Sequence, residues 1–153
     1  MATQTLRDQL RAYDESWQRN RSAPATASDI EEQVNLSLAL LDVIKAADDR
    51  RWKAIQSQKP VPRDLRARHL AEMHELYASW FEPCNDLLRA IDRVESHGER
   101  VESAERFRQK VELVSAKLDL DPDEFARSLN DIEDGQTIPL AEVRDELRRR
   151  THA

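Results

Sequence analysis

The sequence predicts an all-α protein, an up-down four-helix bundle with a helical C-terminal arm. Three observations predict it. Only 2 glycines and 6 prolines interrupt 153 residues. Apolar residues recur at spacings of three and four along most of the chain, the period of one helical face. No stretch alternates apolar and polar residues with the period of two that a half-buried strand requires. The length fits one domain with a short appendage. Residues 1–118 read as the helical bundle, and residues 119–153 as an acidic linker helix followed by an amphipathic arm.

Leu6, Leu10, Tyr13 and Trp17 lie on one helical face and predict a first helix over about 3–20. The small-residue stretch SAPATAS (22–28) reads as a linker. Ser28 followed by Glu31 has the spacing of a capping box and predicts the start of a second helix. That helix has two apolar stripes, Ile30–Val34–Leu38–Leu41–Ile44 and Leu36–Leu40–Val43–Ala47, so it is expected to be the most buried member of the bundle. KPVPRD (59–64) reads as a rigid turn, because prolines cannot continue a helix. A third helix is expected from Leu65 through Leu70, Met73, Leu76, Tyr77, Trp80 and Phe81. Its break is expected at Glu82–Pro83, after which Leu87, Leu88, Ile91 and Val94 resume the pattern to Gly98. Val101, Ala104, Phe107, Val111, Val114 and Leu118 outline the fourth helix.

Beyond Leu118 the organisation changes. Asp121 and Pro122 have the pattern of a helix cap followed by proline at the first position, and Phe125, Leu129 and Ile132 supply about three turns ended by Gly135. Pro139 then opens a last helix with Leu140, Val143 and Leu147 on one stripe. The arm and its linker hold only about seven large apolar side chains, so they need the bundle or a partner to stay ordered.

The net charge of −6 is unevenly placed. Residues 119–138 carry −6, residues 139–153 carry +1, and the first 118 residues are close to neutral. No broad basic face is apparent, which disfavours nucleic-acid binding. A single cysteine excludes an internal disulfide, the first residues lack the apolar core of a signal peptide, and no apolar run is long enough to span a membrane. A cytoplasmic location is expected.

Candidate chemistry is sparse. His69 and His74 are five residues apart, on different helix faces, and no Glu-x-x-His pair is present, so neither a metal nor another cofactor is expected. Cys84 follows Pro83 and reads as a small buried hydrophobe rather than a nucleophile. The tryptophans, with Tyr13, Tyr77 and Phe81, fall on apolar stripes and read as core, not as a base-stacking platform. LDLDPDEFARSL (118–129) resembles the opening of a helix-turn-helix unit, but its acidity argues against a DNA groove. RDLRARH (63–69) resembles the Arg-x(4–6)-His signature of the HEPN ribonucleases, a resemblance that implies Arg63 and His69 acting on a phosphodiester. That family carries its motif on the last helix of the bundle, whereas two long helices follow here. The expectation is therefore a protein without enzymatic activity, with a HEPN-like ribonuclease as a distant alternative.

The last segment, DGQTIPLAEVRDELRRR (134–150), is similar to the toxin-binding tails of type II antitoxins of the Phd, RelB and ParD groups. The likeness rests on Gly135, Ile138, Pro139, Leu140, Glu142, Val143, Glu146 and Leu147. It implies a protein partner, a small nuclease toxin, held by the arm. Ile138, Pro139, Leu140, Val143 and Leu147 would dock in an apolar groove, while Arg144, Arg148, Arg149 and Arg150 would enter an acidic nuclease site. Those families carry an N-terminal DNA-binding module that residues 1–118 do not resemble. The bulk of the chain instead resembles uncharacterised helical proteins of bacterial genomes. The alternative expectation is a self-contained helical protein or a homodimer, with the C-terminal helix packed on its own core.

Overall fold

Among the described residues six helices form where the apolar periodicity places them, besides helical positions at 144 and 147–150, and the class is all-α. In the computed structural model they are α1 (Ala2–Asn20), α2 (Ala27–Gln56), α3 (Arg63–Phe81), α4 (Cys84–Ser96), α5 (Ala104–Leu118) and α6 (Pro122–Glu133). The structure describes residues 2–20, 26–135, 144 and 147–150; within α1, side chains are described for residues 7–15 and 18.

The helix ends follow local chemistry. The second helix is capped by Thr26, two residues earlier than the Ser28–Glu31 pattern suggests. Thr26 Oγ1 accepts from the Asp29 backbone N–H, and the Asp29 carboxylate accepts from the Thr26 N–H, both at 3.2 Å. This reciprocal pair satisfies two donors that the helix start would otherwise leave open. The two prolines of the 59–64 turn end α2, and Lys59–Pro60 is a cis peptide. At the expected break, α3 ends at Phe81 and α4 begins at Cys84. The third helix of the bundle is thus two helices, and residues 1–118 contain five rather than four. Gly98 and Gly135, with φ of +85° and +77°, terminate α4 and α6 in the left-handed conformation that glycine adopts without strain.

Buried residues of α1 to α5 join in one core, including Leu10, Ile30, Leu41, Leu76, Trp80, Leu87, Ile91, Phe107 and Val114. Trp80 is fully buried, meets the Phe107 ring edge-on at 6.3 Å, and donates its indole N–H to the Ser37 carbonyl at 2.8 Å. Cross-helix pairs set the directions. Gln56–Arg66, Asp48–His69 and Ser37–Trp80 run α3 antiparallel to α2, whereas Glu31–Ser103 and Asp48–Lys117 run α5 parallel to it. The C-terminal end of α6 lies against the start of α3, where Arg66 meets Asn130 and Glu133 and Arg63 meets Asp134. His74, further along α3, meets the Leu118 carbonyl at the end of α5, so the chain from 118 to 134 runs antiparallel to α3.

The central helix is α3, which packs against α1, α2, α4, α5 and α6. The expectation that α2 is the most buried element is corrected. Its first stripe is sealed, but on the second Leu36 and Val43 are 47% and 46% exposed. Leu40 and Ala47 of the same stripe are only partly buried, packed against the edge of the core.

Candidate partner-binding surface

The arm residues singled out by the sequence divide into two groups. Arg144, Leu147, Arg148, Arg149 and Arg150 are helical and exposed, Leu147 at 60%. Ile138, Pro139, Leu140 and Val143 lie outside the described residues. No described arm residue belongs to the core, which runs no further than Leu118 in its clustered part. Whatever Leu147 and the arginines touch, their side chains remain largely accessible to water.

The arm is carried by α6, and α6 is attached in an unexpected way. Its two exposed large apolar residues, Phe125 and Ile132, do not pack into the bundle. Ala126, 7% exposed, is the one buried residue of the helix, and the contacts on that side are polar. Arg66 of α3, 1% exposed, donates to Asn130 Oδ1 at 2.7 Å, to the Glu133 carboxylate, and to Gln56 Oε1 of α2 at 3.2 Å. Arg63 makes a two-pronged pair with Asp134 at 2.5 and 3.1 Å. Two arginines of α3 thus clamp the C-terminal end of α6. Asp121 secures the opposite end by accepting from the Asp123 and Glu124 backbone N–H groups. With its polar side inward, α6 turns Phe125 and Ile132 outward, 42% and 67% exposed, with half-buried Leu129 between them. Exposed Asp121, Asp123, Glu124 and Asp131 surround this ridge.

Arg66 was not singled out from the sequence, yet a signal exists. Arg66 and His69 lie seven and four residues before Met73, so the α3 stripe through Met73, Leu76 and Trp80 extends backwards through both. Their polarity hides the continuity.

The Arg63–His69 pair does not converge on a common point. Arg63 is directed to Asp134 on the surface, whereas His69 is fully buried. His69 Nε2 donates to Asp48 Oδ1 at 2.8 Å, and Tyr77 donates its hydroxyl to Asp48 Oδ2 at 2.9 Å. Lys117 Nζ stands 3.6 Å from the same carboxylate and 4.5 Å from the Tyr77 ring centre. Burial acts to raise the Asp48 pKa, but the His69 and Tyr77 hydrogen bonds and the Lys117 charge outweigh it and hold it below the usual carboxylate range. The Tyr77 hydroxyl is pushed up by burial and by that same anion. The group reads as a polar knot binding α2, α3 and α5, with His69 fully buried within it.

Compared with family models, curated proteins and solved structures, the chain finds no match.

The remaining candidates are accounted for locally. Cys84 is fully buried, donates to the Trp80 carbonyl at 3.2 Å, and has its thiol pushed up to about 12 by burial. His74 meets the Leu118 carbonyl at 3.0 Å and His97 the Arg93 carbonyl at 2.7 Å. Among the described residues no three histidine, cysteine or acidic side chains gather as metal ligands. No described helix is long and apolar enough to cross a membrane. A groove between α1 and the α3–α4 break is lined by two arginines, Arg7 and Arg11, and four acids, Asp14, Glu75, Glu82 and Asp86, none of them buried.

Proposed function

We propose that this protein is a non-enzymatic binding module that holds another protein with its C-terminal arm, in the manner of an antitoxin-like inhibitor of a small ribonuclease. The observation that supports this reading is the placement of Leu147. It is 60% exposed on a helical segment beside exposed Arg144, Arg148, Arg149 and Arg150, outside a core already closed by α1 to α5. An apolar side chain flanked by guanidinium groups suits a groove with an acidic end. Leucine enters the groove and arginines pair with carboxylates at its mouth. The resemblance of residues 134–150 to antitoxin tails supplies the class of partner.

Capture from the native host with tagged full-length chain tests the reading. Wild-type chain is expected to retain one small protein stoichiometrically, and a Leu140→Asp/Leu147→Asp variant to release it. The captured protein should degrade RNA when alone and not when bound. Identical retention by wild type and variant would defeat the proposal.

A second reading, a helical structural protein that forms homodimers, has its own support in the half-exposed Leu36 and Val43 stripe of α2. A Leu36→Glu/Val43→Glu chain that remains dimeric in light scattering would exclude that stripe as the contact, and a monomeric wild type would remove the reading.

A further inference from the structure

An α-helix turns about 100° per residue, which places Phe125, Leu129 and Ile132 within about 60° of arc on α6. Ala126, Asn130 and Glu133 occupy one adjoining face, where Ala126 is buried and the other two meet Arg66 of α3. Asp121, Glu124 and Asp131 border the ridge on its other side, and all three are exposed. Among the described residues α6 packs on α3 alone, and Phe125 and Ile132 stay 42% and 67% exposed. We propose that this ridge docks a basic amphipathic helix of another protein. The partner's apolar stripe would cover Phe125, Leu129 and Ile132, and its lysines or arginines would pair with Asp121, Glu124 and Asp131.

Charge selects this occupant. Ordinary helix chemistry accounts for the acids at the start of α6, where Asp121 caps the helix and Glu124 sits at the positive end of its dipole. It does not account for Asp131, which lies in the last turn, where a carboxylate is disfavoured and no basic residue is present. Glu133 and Asp134, at the same end, are answered by Arg66 and Arg63. The Glu124 and Asp131 carboxylates meet no cation among the described residues. Arg127, the one basic residue of α6, lies on the side opposite the ridge and donates to the Asp123 carbonyl. A row of carboxylates beside an apolar ridge repels a nucleic-acid backbone or an anionic lipid surface. It also disfavours a second copy of this chain, since two such ridges would set carboxylates against carboxylates.

The ridge spans about two helical turns, roughly 11 Å, which suits one partner helix rather than a broad surface. A contact of that size is at the low end for protein interfaces and belongs to a transient complex. The docking surface is fixed in position, because Arg63 and Arg66 hold α6 from its adjoining face. It depends on α6 and stands whether or not the arm binds a nuclease.

A synthetic peptide of alanine, leucine and lysine, about 18 residues long so that it can form a helix, tests the proposal against isotope-labelled full-length chain. Its leucines recur at three-four spacing, with lysines along one border of the stripe. Amide shifts are expected within residues 121–133. Phe125→Ser/Ile132→Ser and Glu124→Lys/Asp131→Lys chains should each bind at least about tenfold more weakly, the first through lost apolar contact and the second through lost charge pairing. Circular dichroism unchanged from wild type shows that these exposed substitutions leave the helices intact. A peptide of the same composition with its leucines scattered round the helix should also bind at least about tenfold more weakly. Equal binding of the two peptides would reduce the interaction to charge attraction and overturn the proposal. Absence of binding, shifts centred on the Leu36–Val43 stripe or on the arm, or unaltered affinity in either variant overturns it as well. Shifts at Phe125 and Ile132 that grow with chain concentration alone would assign the ridge to a second copy, against the proposal.

Discussion

The guanidinium of Arg66, buried to 1% exposure in α3, donates to the Glu133 carboxylate at the end of α6. Asn130 and Gln56 share the same cation, so one side chain joins α2, α3 and α6. Arg66→Ala removes this junction and leaves three acceptors to find water. Loss of one partner of a buried charged network costs about 3–5 kcal/mol, reduced here to about 2–4 kcal/mol because Glu133 is partly solvated. The expected outcome is a Tm lower by roughly 5–15 °C. Arg63→Ala, which cuts an exposed pair with Asp134, should barely move it. Equal losses for the two would show that burial of Arg66 does not set its contribution.

That junction also marks the boundary of what is legible in the sequence. Apolar side chains at three-four spacing have one favourable destination, so the α2, α4 and α5 faces and the break at Pro83 can be read directly. Proline and glycine carry backbone constraints that need no tertiary context, which makes Asp121–Pro122, Gly98 and Gly135 equally plain. Arg66 and His69 are different. Their burial depends on acceptors at Gln56, Asp48, Asn130 and Glu133, brought together only by the tertiary fold. The orientation of α6 follows the same rule. Its Phe125–Leu129–Ile132 stripe suggests an inward face, yet Arg66 holds the adjoining Asn130–Glu133 face, leaving Leu129 half-buried and Phe125 and Ile132 at the surface. For the candidate site, the sequence leaves open whether the arm is free or packed on the bundle, because a short amphipathic stripe suits either. The exposure of Arg144, Leu147 and Arg148 to Arg150 is read from the structure, and Ile138, Pro139, Leu140 and Val143 remain a sequence assignment.

Cys84 invites a reactivity measurement. Fully buried, bonded to the Trp80 carbonyl and pushed up to about 12, its thiol offers almost no thiolate near neutral pH. A disulfide reagent should therefore modify the native chain only as fast as the chain opens, and label one thiol per molecule at once in strong denaturant. Modification of the folded protein at the rate of a model thiol would place Cys84 in an accessible setting.

The arm should contribute little to global stability. The core closes within α1 to α5, and α6 is secured by Arg63, Arg66 and buried Ala126, upstream of residue 136. Chain ending at Gly135 is expected to melt within about 3 °C of full length, less than the equivalent of roughly 1–2 kcal/mol. Phe107→Ala supplies the contrast, since deleting a fully buried aromatic ring costs about 3–5 kcal/mol. A loss on truncation as large as that of Phe107→Ala would mean that the arm is structural, and the binding reading would lose its support.

Acid should act on the folded state through three carboxylates. Burial opposes ionisation of Asp48, but His69, Tyr77 and Lys117 reverse the effect and depress its pKa. The hydrogen bonds from Arg66 and Arg63 likewise depress Glu133 and Asp134. A group with a depressed folded pKa contributes stability above its unfolded pKa, about 3.9 for aspartate and 4.3 for glutamate. That contribution is lost as pH falls through the folded value, because the unfolded chain then takes up protons first. Denaturant midpoints should thus be insensitive to these groups from pH 7 to about 5, and fall below about pH 4. Asp48→Asn begins less stable at neutral pH, having exchanged a charge beside Lys117 for a neutral amide. Its midpoint should then decline less steeply in acid than that of wild type, and the two curves should converge. Parallel curves down to pH 3 would show that the Asp48 carboxylate is no more stabilised in the folded chain than in the unfolded one.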